Sequence, residues 1–230
     1  MDDLLSEKEQ IEKMRAWWSD YGWYVIGGVV LGAAILFGIN YYQGQAVKAE
    51  VAASVLYDEI TRHVDNDDIE AAQVTADELD SEFGNSSYAA QSKLAMARLY
   101  MDKNRDQDAS QALNELLAMN GFEHLKHIAR VRLAKVLLYQ GKPEEVLSLL
   151  EGQENAAFAA RYAAELGDAY VALGRYDEAR ASYQAALGET QPTVDQGLIQ
   201  LKLMDLPENG GEAVEDVDEA AAVSGEGGGE

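Results

Sequence analysis

Between Asp20 and Lys48 the chain carries no charged side chain. Inside that interval residues 21–42 read YGWYVIGGVVLGAAILFGINYY. This length matches the ~20 residues a helix needs to cross a hydrocarbon core of ~30 Å. Val25, Ile26, Val29, Val30, Leu31, Ile35, Leu36, Phe37 and Ile39 each favour insertion by roughly 0.3–0.6 kcal/mol, partly offset by the glycines and by Asn40. Aromatic rings prefer the headgroup level, where an apolar body and a polar tip are both satisfied. Trp17, Trp18, Tyr21, Trp23 and Tyr24 mark one edge of the run, and Tyr41 and Tyr42 the other. A buried core helix would not collect all 3 tryptophans of the chain at one end. A cleaved signal has an apolar core of ~7–15 residues behind a basic start, whereas this run is longer and follows a net-acidic segment. An uncleaved transmembrane anchor is the expected reading.

The distribution of cations sets the expected orientation. Lys8, Lys13 and Arg15 precede the run, and Lys48 and Arg62 follow it. Basic residues stay on the cytoplasmic side and acidic ones count little, so the N-terminus is expected inside and the following domain outside the cytoplasm. Gly28 and Gly32 form a GxxxG pair, a spacing that lets a second helix approach closely. They are the candidate helix contact within the span; frequent glycine in membrane helices is the competing explanation.

The remainder of the 230 residues is rich in Ala and Leu and contains 3 prolines, which favours an all-α fold. Self-similarity then divides it. Gly167, Tyr170, Gly174, Ala179 and Tyr183 are spaced 3, 4, 5 and 4 residues apart. The same spacing recurs at Ala134, Leu137, Gly141, Val146 and Leu150, and again at Ala97, Tyr100, Asn104, Ala109 and Leu113. The physical reading is a helix hairpin. A small and a large residue lie on one face of the first helix, a Gly or Asn able to take φ > 0 ends it, and two residues four apart face back from the second. Such a pair cannot bury its apolar stripe alone, so pairs stack. A further unit is expected at about residues 46–84, with His63 and Asp67 at poorly matching positions and its first helix continuing from the span. A cap helix is expected over residues 194–206, started by Thr193 and stopped by Pro207. The stretch from 207 to 230 has eight acidic residues, no basic ones and many glycines; it cannot bury a core and is expected to be disordered. The expected organisation is therefore an N-terminal cytoplasmic segment (1–20), a transmembrane helix (21–42), a helical repeat domain (43–206) and an acidic tail (207–230).

Catalytic and metal chemistry find little support. The absence of cysteine removes disulfides, thiolate zinc sites and thiol nucleophiles, without deciding the compartment. The net charge of −23 repels phosphate backbones, so nucleic acid is not an expected partner. His124 and His127 share a spacing of three but have only Glu123 beside them, too few ligands for zinc. Asp65, Asp67, Asp68 and Glu70 lack the Gly and closing Glu of a calcium loop and read as a polar turn and helix start. No phosphate-binding glycine loop or nucleophile elbow is present, and no constellation unites nucleophile, base and orienter. Neither cofactor, metal nor enzymatic activity is expected. Tyr100, Tyr139, Tyr162, Tyr170, Tyr176 and Tyr183 read as packing residues, some of which could line a peptide groove.

The copy Leu166-Gly167, Tyr170, Gly174-x-Tyr176, Ala179, Tyr183, Ala186 resembles the tetratricopeptide repeat, and the two earlier copies match it more loosely. The order of an aromatic-flanked, Gly-rich span followed by three to four such hairpins resembles the YfgM-like family of Gram-negative inner-membrane proteins over roughly residues 5–206. The stretches VIGGVVLGAAILFGINYY, SSYAAQSKLAMARLYMDK, IARVRLAKVLLYQGK and ELGDAYVALGRYDEAR carry that likeness; the acidic tail lies outside it. The resemblance implies an α-solenoid on a single-pass inner-membrane anchor. It further implies an ancillary subunit of the SecYEG translocon that works as a periplasmic adaptor or chaperone beside a PpiD-like chaperone and receives translocating polypeptides. A repeat scaffold in another envelope process, such as outer-membrane assembly or stress signalling, is the alternative. An alkaline phosphatase fused after Glu230 is expected to be active in cells, because that enzyme matures only outside the cytoplasm; a silent, stably expressed fusion would reverse the orientation.

Overall fold

The computed structural model describes residues 7–153, 155–188 and 193–207. The acidic tail from 208 onward and the first six residues of the N-terminal segment lie outside these. Helices follow one another without an intervening strand among the described residues: α1 (Glu7–Asp65), α2 (Ile69–Phe83), α3 (Ser87–Asp102), α4 (Asp106–Ala118), α5 (Glu123–Tyr139), α6 (Pro143–Leu150), α7 (Ala159–Ala172), α8 (Tyr176–Gly188) and α9 (Gln196–Met204). The all-α class and the repeat solenoid expected from the sequence hold.

α1 is one uninterrupted helix of 59 residues, about 88 Å at 1.5 Å per residue. Among the described residues one helical stretch, Glu9–Ile39, is long and apolar enough to cross a membrane, and 6 % of its most apolar window is buried by protein. A core helix would be mostly covered, so this surface needs an apolar environment from elsewhere. Trp23 is 80 % and Phe37 78 % exposed. Gly28 and Gly32 face open space. Past Lys48 the same helix becomes protein-facing: Ala53 and Ile60 are fully buried. The first hairpin is thus α1 with α2, the others α3–α4, α5–α6 and α7–α8. Each second helix packs on the first helix of its own pair and on that of the next, and the first helices pack side by side. One core runs from Ala53 to Phe158 and Tyr162, and a second joins α7, α8 and α9 through Ala164, Tyr183 and Ile199.

Four turns between paired helices are built alike. Asp67, Asn104, Gly141 and Gly174 have φ of +59°, +56°, +70° and +69°. Each donates its N–H three residues back, to Val64, Met101, Leu138 and Val171, and the next residue donates five back, to His63, Tyr100, Leu137 and Tyr170. This pair of bonds is the Schellman closure, which satisfies carbonyls the helix end would otherwise leave open. The unit at 46–84 therefore closes as the others do, with Asp67 holding the left-handed position; Asp tolerates that region better than most residues. Second helices begin directly after the closure. Pro143 sits in the first turn of α6, where its missing N–H costs nothing. Asp68 caps α2 through the Ala71 N–H, which accounts for one of the acidic residues near the first turn.

α9 differs from expectation at its start. The cap is Asp195, whose Oδ1 accepts the Leu198 N–H at 3.1 Å, not Thr193. An Asp carboxylate is a stronger cap than a threonine hydroxyl and carries charge favourable to a helix N-terminus. α9 buries Ile199 yet leaves Leu198, Leu201 and Met204 exposed, so it does not present a purely polar outer face.

The small-then-large rule is most acute in the last hairpin. A Cβ on Gly167 would collide with the Tyr183 ring, and Tyr183 is 2 % exposed. At the equivalent positions the other hairpins combine Ala97 with Leu113 and Ala134 with Leu150, all buried. Gly167→Ala is expected to lower unfolding free energy by about 1–3 kcal/mol, the usual range for overpacking. Tyr183→Leu in the same chain is expected to recover at least ~1 kcal/mol of that, a coupling readable from a denaturant double-mutant cycle.

Candidate binding groove

The side-by-side first helices form an inner face that ends against α9. Ile128, Val131, Arg132, Lys135 and Leu138 come from α5, Arg161, Ala164, Glu165 and Asp168 from α7, and Thr193, Val194, Asp195, Leu198, Ile199 and Lys202 from the α9 segment; together they enclose a groove of about 830 Å³. Helical periodicity explains this lining, since 128, 131, 132, 135 and 138 lie on one face of α5 and 161, 164, 165 and 168 on one face of α7. Two smaller hollows continue it along the same face. One, of about 260 Å³, is lined by Ala97, Arg98, Met101, Leu113, Arg132, Lys135 and Val136. Another, of about 300 Å³, reaches Tyr57 and Thr61 of α1 through Leu94, Arg98 and Arg132.

Polar groups in the groove are linked in pairs. Lys202 Nζ donates to both oxygens of Asp168 at 2.7 Å, and the Tyr183 hydroxyl donates to Asp168 Oδ1 at 2.6 Å. This junction ties α7, α8 and α9 together. Arg161 Nε donates to the Thr193 carbonyl at 3.1 Å, while its guanidinium lies 5.4 Å from the Phe158 ring centre. Glu165 is 7 % exposed, with Lys135 Nζ 3.5 Å away. Burial pushes the Glu165 carboxyl up to about 7, and Lys135 opposes that shift. On α5 next to the groove, His127 stacks on Phe158. Asn155 Nδ2 lies 2.9 Å from its Nε2, and the Tyr162 hydroxyl and Arg130 Nη1 lie 2.5 and 3.5 Å from its Nδ1. Desolvation, then the nearby Arg130 charge, hold His127 below the ordinary imidazole range. Among the described residues no group of His, Cys, Asp and Glu has the arrangement of a metal site.

The sequence-selected repeat positions fall around this groove more than inside it. Ala97, Tyr100, Ala109, Leu113, Ala134, Leu137, Val146, Leu150, Ala179 and Tyr183 are buried between helices; Gly167 is buried and Tyr170 half-buried. Asn104, Gly141 and Gly174 occupy the turns. Of these, Ala97 and Leu113 reach a hollow of the inner face. Two repeated features escaped the sequence reading. Arg105, Lys142 and Arg175 follow the turn residue and pair with Asp108, Glu145 and Glu178 three positions on. Arg105 and Arg175 also lie over the rings of Tyr100 and Tyr170, at 4.9 and 4.7 Å. Their recurrence at the repeat period was a usable signal. The groove cations had none, because residues facing one hollow come from three distant segments.

Comparison with known proteins agrees with this architecture. The sequence pattern of the family described as "Tetratricopeptide repeat-like domain" matches residues 15–208. The chain is 27 % identical over 202 residues to a protein of Haemophilus influenzae named ancillary SecYEG translocon subunit, covering 88 % of this chain and 98 % of that one. A protein of the same name from Escherichia coli is 27 % identical over 210 residues, covering 90 % and 99 %. One from Neisseria gonorrhoeae is 27 % identical over 202 residues, covering 86 % and 96 %.

The buried carboxyl gives the groove a pH signature. Glu165 has a folded-state value raised above its unfolded one, so its stability contribution is whole below about 4.5 and is lost as pH rises through about 7. His127 works in the opposite sense: its value is depressed, so stability is present above the ordinary imidazole range and lost on acidification. Glu165→Gln is expected to raise unfolding free energy at pH 8 by up to ~3 kcal/mol. It should also abolish the decline between pH 5 and 7, leaving the acid-side loss that His127→Gln removes; urea titrations across pH measure both.

Proposed function

The chain belongs to the tetratricopeptide repeat-like domain family, and from that premise we propose that it is a membrane-anchored periplasmic adaptor at the Sec translocon. Its likeness to the YfgM-like family rests on the relatives named above, which align along nearly their whole length. In this reading residues 1–20 stay in the cytoplasm, 21–42 span the inner membrane and 43–206 stand outside. The partners are SecYEG, a PpiD-like chaperone and polypeptides leaving the channel. Its action is by contact and not by covalent chemistry, with Gly28 and Gly32 as the contact surface inside the bilayer.

The observation that carries the reading is that the apolar stretch and the first repeat are one helix. A groove fixed to a membrane helix cannot diffuse away from the bilayer. Local concentration then substitutes for affinity, reaching the millimolar range for short tethers, and weak, varied segments can be held without a tight site. The mixed lining of the groove, apolar with both paired and unpaired charges, suits such contacts.

Solubilised full chain is expected to enrich translocon subunits over an unrelated single-span protein at equal expression; equal recovery would contradict the proposal. Replacing Gly28 and Gly32 by Ile is expected to reduce that enrichment several-fold while leaving the helical circular dichroism unchanged. Full enrichment in the double variant would move the contact to the repeats. Full function with an unrelated span would favour the scaffold role elsewhere in the envelope.

A further inference from the structure

Arg132 lies where three hollows of the inner face meet, contributing to the linings of all three. It donates Nη1–H to the Leu94 carbonyl at 2.9 Å, and among the described residues it makes no ion pair. The strongest charge acting on it is a like one: Arg98 shares two of the hollows with it, and desolvation together with Arg98 lowers the affinity of Arg132 for its proton. Arg161, further along the groove, also has no carboxylate partner among the described residues. Lys135 and Lys202 complete a line of five cations, against Glu165, Asp168 and Asp195 in the main groove and Asp65 at its α1 end. The chain has 41 acidic and 18 basic residues, so a cation-rich groove runs against its average. A guanidinium with free N–H donors beside a second one is matched by carboxylates, which it takes bidentately.

We propose that this groove is occupied by the chain's own acidic segment, residues 213–223, held through Arg132 and its neighbours. That segment reads AVEDVDEAAAV. Glu215, Asp216, Asp218 and Glu219 supply carboxylates, and Val214 and Val217 supply side chains of a size suited to the hollow lined by Ala97, Met101, Leu113 and Val136. The point of departure is fixed. Leu206 is 7 % exposed, and the Pro207 carbonyl accepts a hydrogen bond from Arg180 Nη2 at 2.7 Å. α9 itself forms one wall of the groove, and α5 lies two helices away, roughly 20 Å at about 10 Å per packed neighbour. Residues 208–216 span up to about 30 Å when extended, so the reach is sufficient.

The consequence is self-competition. A covalently linked occupant is present at millimolar effective concentration, so an outside segment enters only by displacing it. The acidic tail then sets a threshold on what the groove accepts, and salt, which screens exposed charges, lowers that threshold. This occupancy holds whichever envelope complex the chain serves, so it does not rest on the translocon reading.

The cysteine-free sequence permits a direct test in the full chain reconstituted in lipid nanodiscs. Ser224→Cys, just beyond the docked segment, and Tyr139→Cys, 64 % exposed, are labelled with nitroxides and their separation is read by pulsed electron paramagnetic resonance. A single narrow distance population is expected. Converting Glu215, Asp216, Asp218 and Glu219 to amides leaves the helical domain untouched and is expected to broaden it, and Arg132→Gln should do the same. A broad distribution in the parent, or one unchanged by the tail amides, would overturn the proposal. So would a narrow distance that vanishes when labelled chains are diluted with unlabelled ones, since the occupant would then be a second copy's tail.

Discussion

A single backbone hydrogen-bond ladder, that of α1, fixes where everything else in the molecule stands. Its first half shows apolar surface that protein does not cover, and its second half buries Ala53 and Ile60 in the repeat core. Among the described residues α1 runs without a break from Glu7 to Asp65, and nothing in the sequence between Gly44 and Ile60 breaks a helix. Because helices stack in register from α1 onward, the direction of the first helix propagates to the groove. A solenoid attached by a Gly/Ser linker would sample all orientations; one continuous with its anchor presents one face at a fixed height above the bilayer.

Stacking depends in turn on closing each first helix at the right residue. The recurring left-handed position does this with Asp, Asn or Gly, and the residue after it donates to a carbonyl five positions back; two of those carbonyls belong to Tyr100 and Leu137, which are buried between helices. Turn geometry and core packing are therefore set by the same short segment. The identity of the packing pair can vary as long as the combined volume fits: Gly with Tyr, Ala with Leu. That freedom lets the α5–α6 hairpin close on Ala134, Leu137 and Leu150, without the aromatics of the last copy.

The span, the hairpins after Ser87 and the run-on of the anchor into the first repeat were legible because each leaves a periodic or compositional mark. Asp67 was harder to read. Asp signals a turn or a cap equally well, and here Asp67 takes the turn and Asp68 the cap. The start of α9 was ambiguous for the same reason, since Thr193 and Asp195 both qualify as caps and only the hydrogen bond to Leu198 decides. The groove left no mark on the sequence. Arg98, Arg132, Arg161 and Lys202 come from four helices and meet only because those helices stack, and the raised Glu165 carboxyl depends on burial that a single polar residue in a helix does not announce.

The continuity of α1 is most directly measured by amide hydrogen exchange on the full chain in nanodiscs, resolved across residues 40–52. Exchange there as slow as in the flanking repeat helices, without a fast-exchanging break, is the outcome that one rigid ladder requires. A cluster of rapidly exchanging amides between the span and Ala53 would mean a hinge, and the groove would then hang from the membrane on a joint.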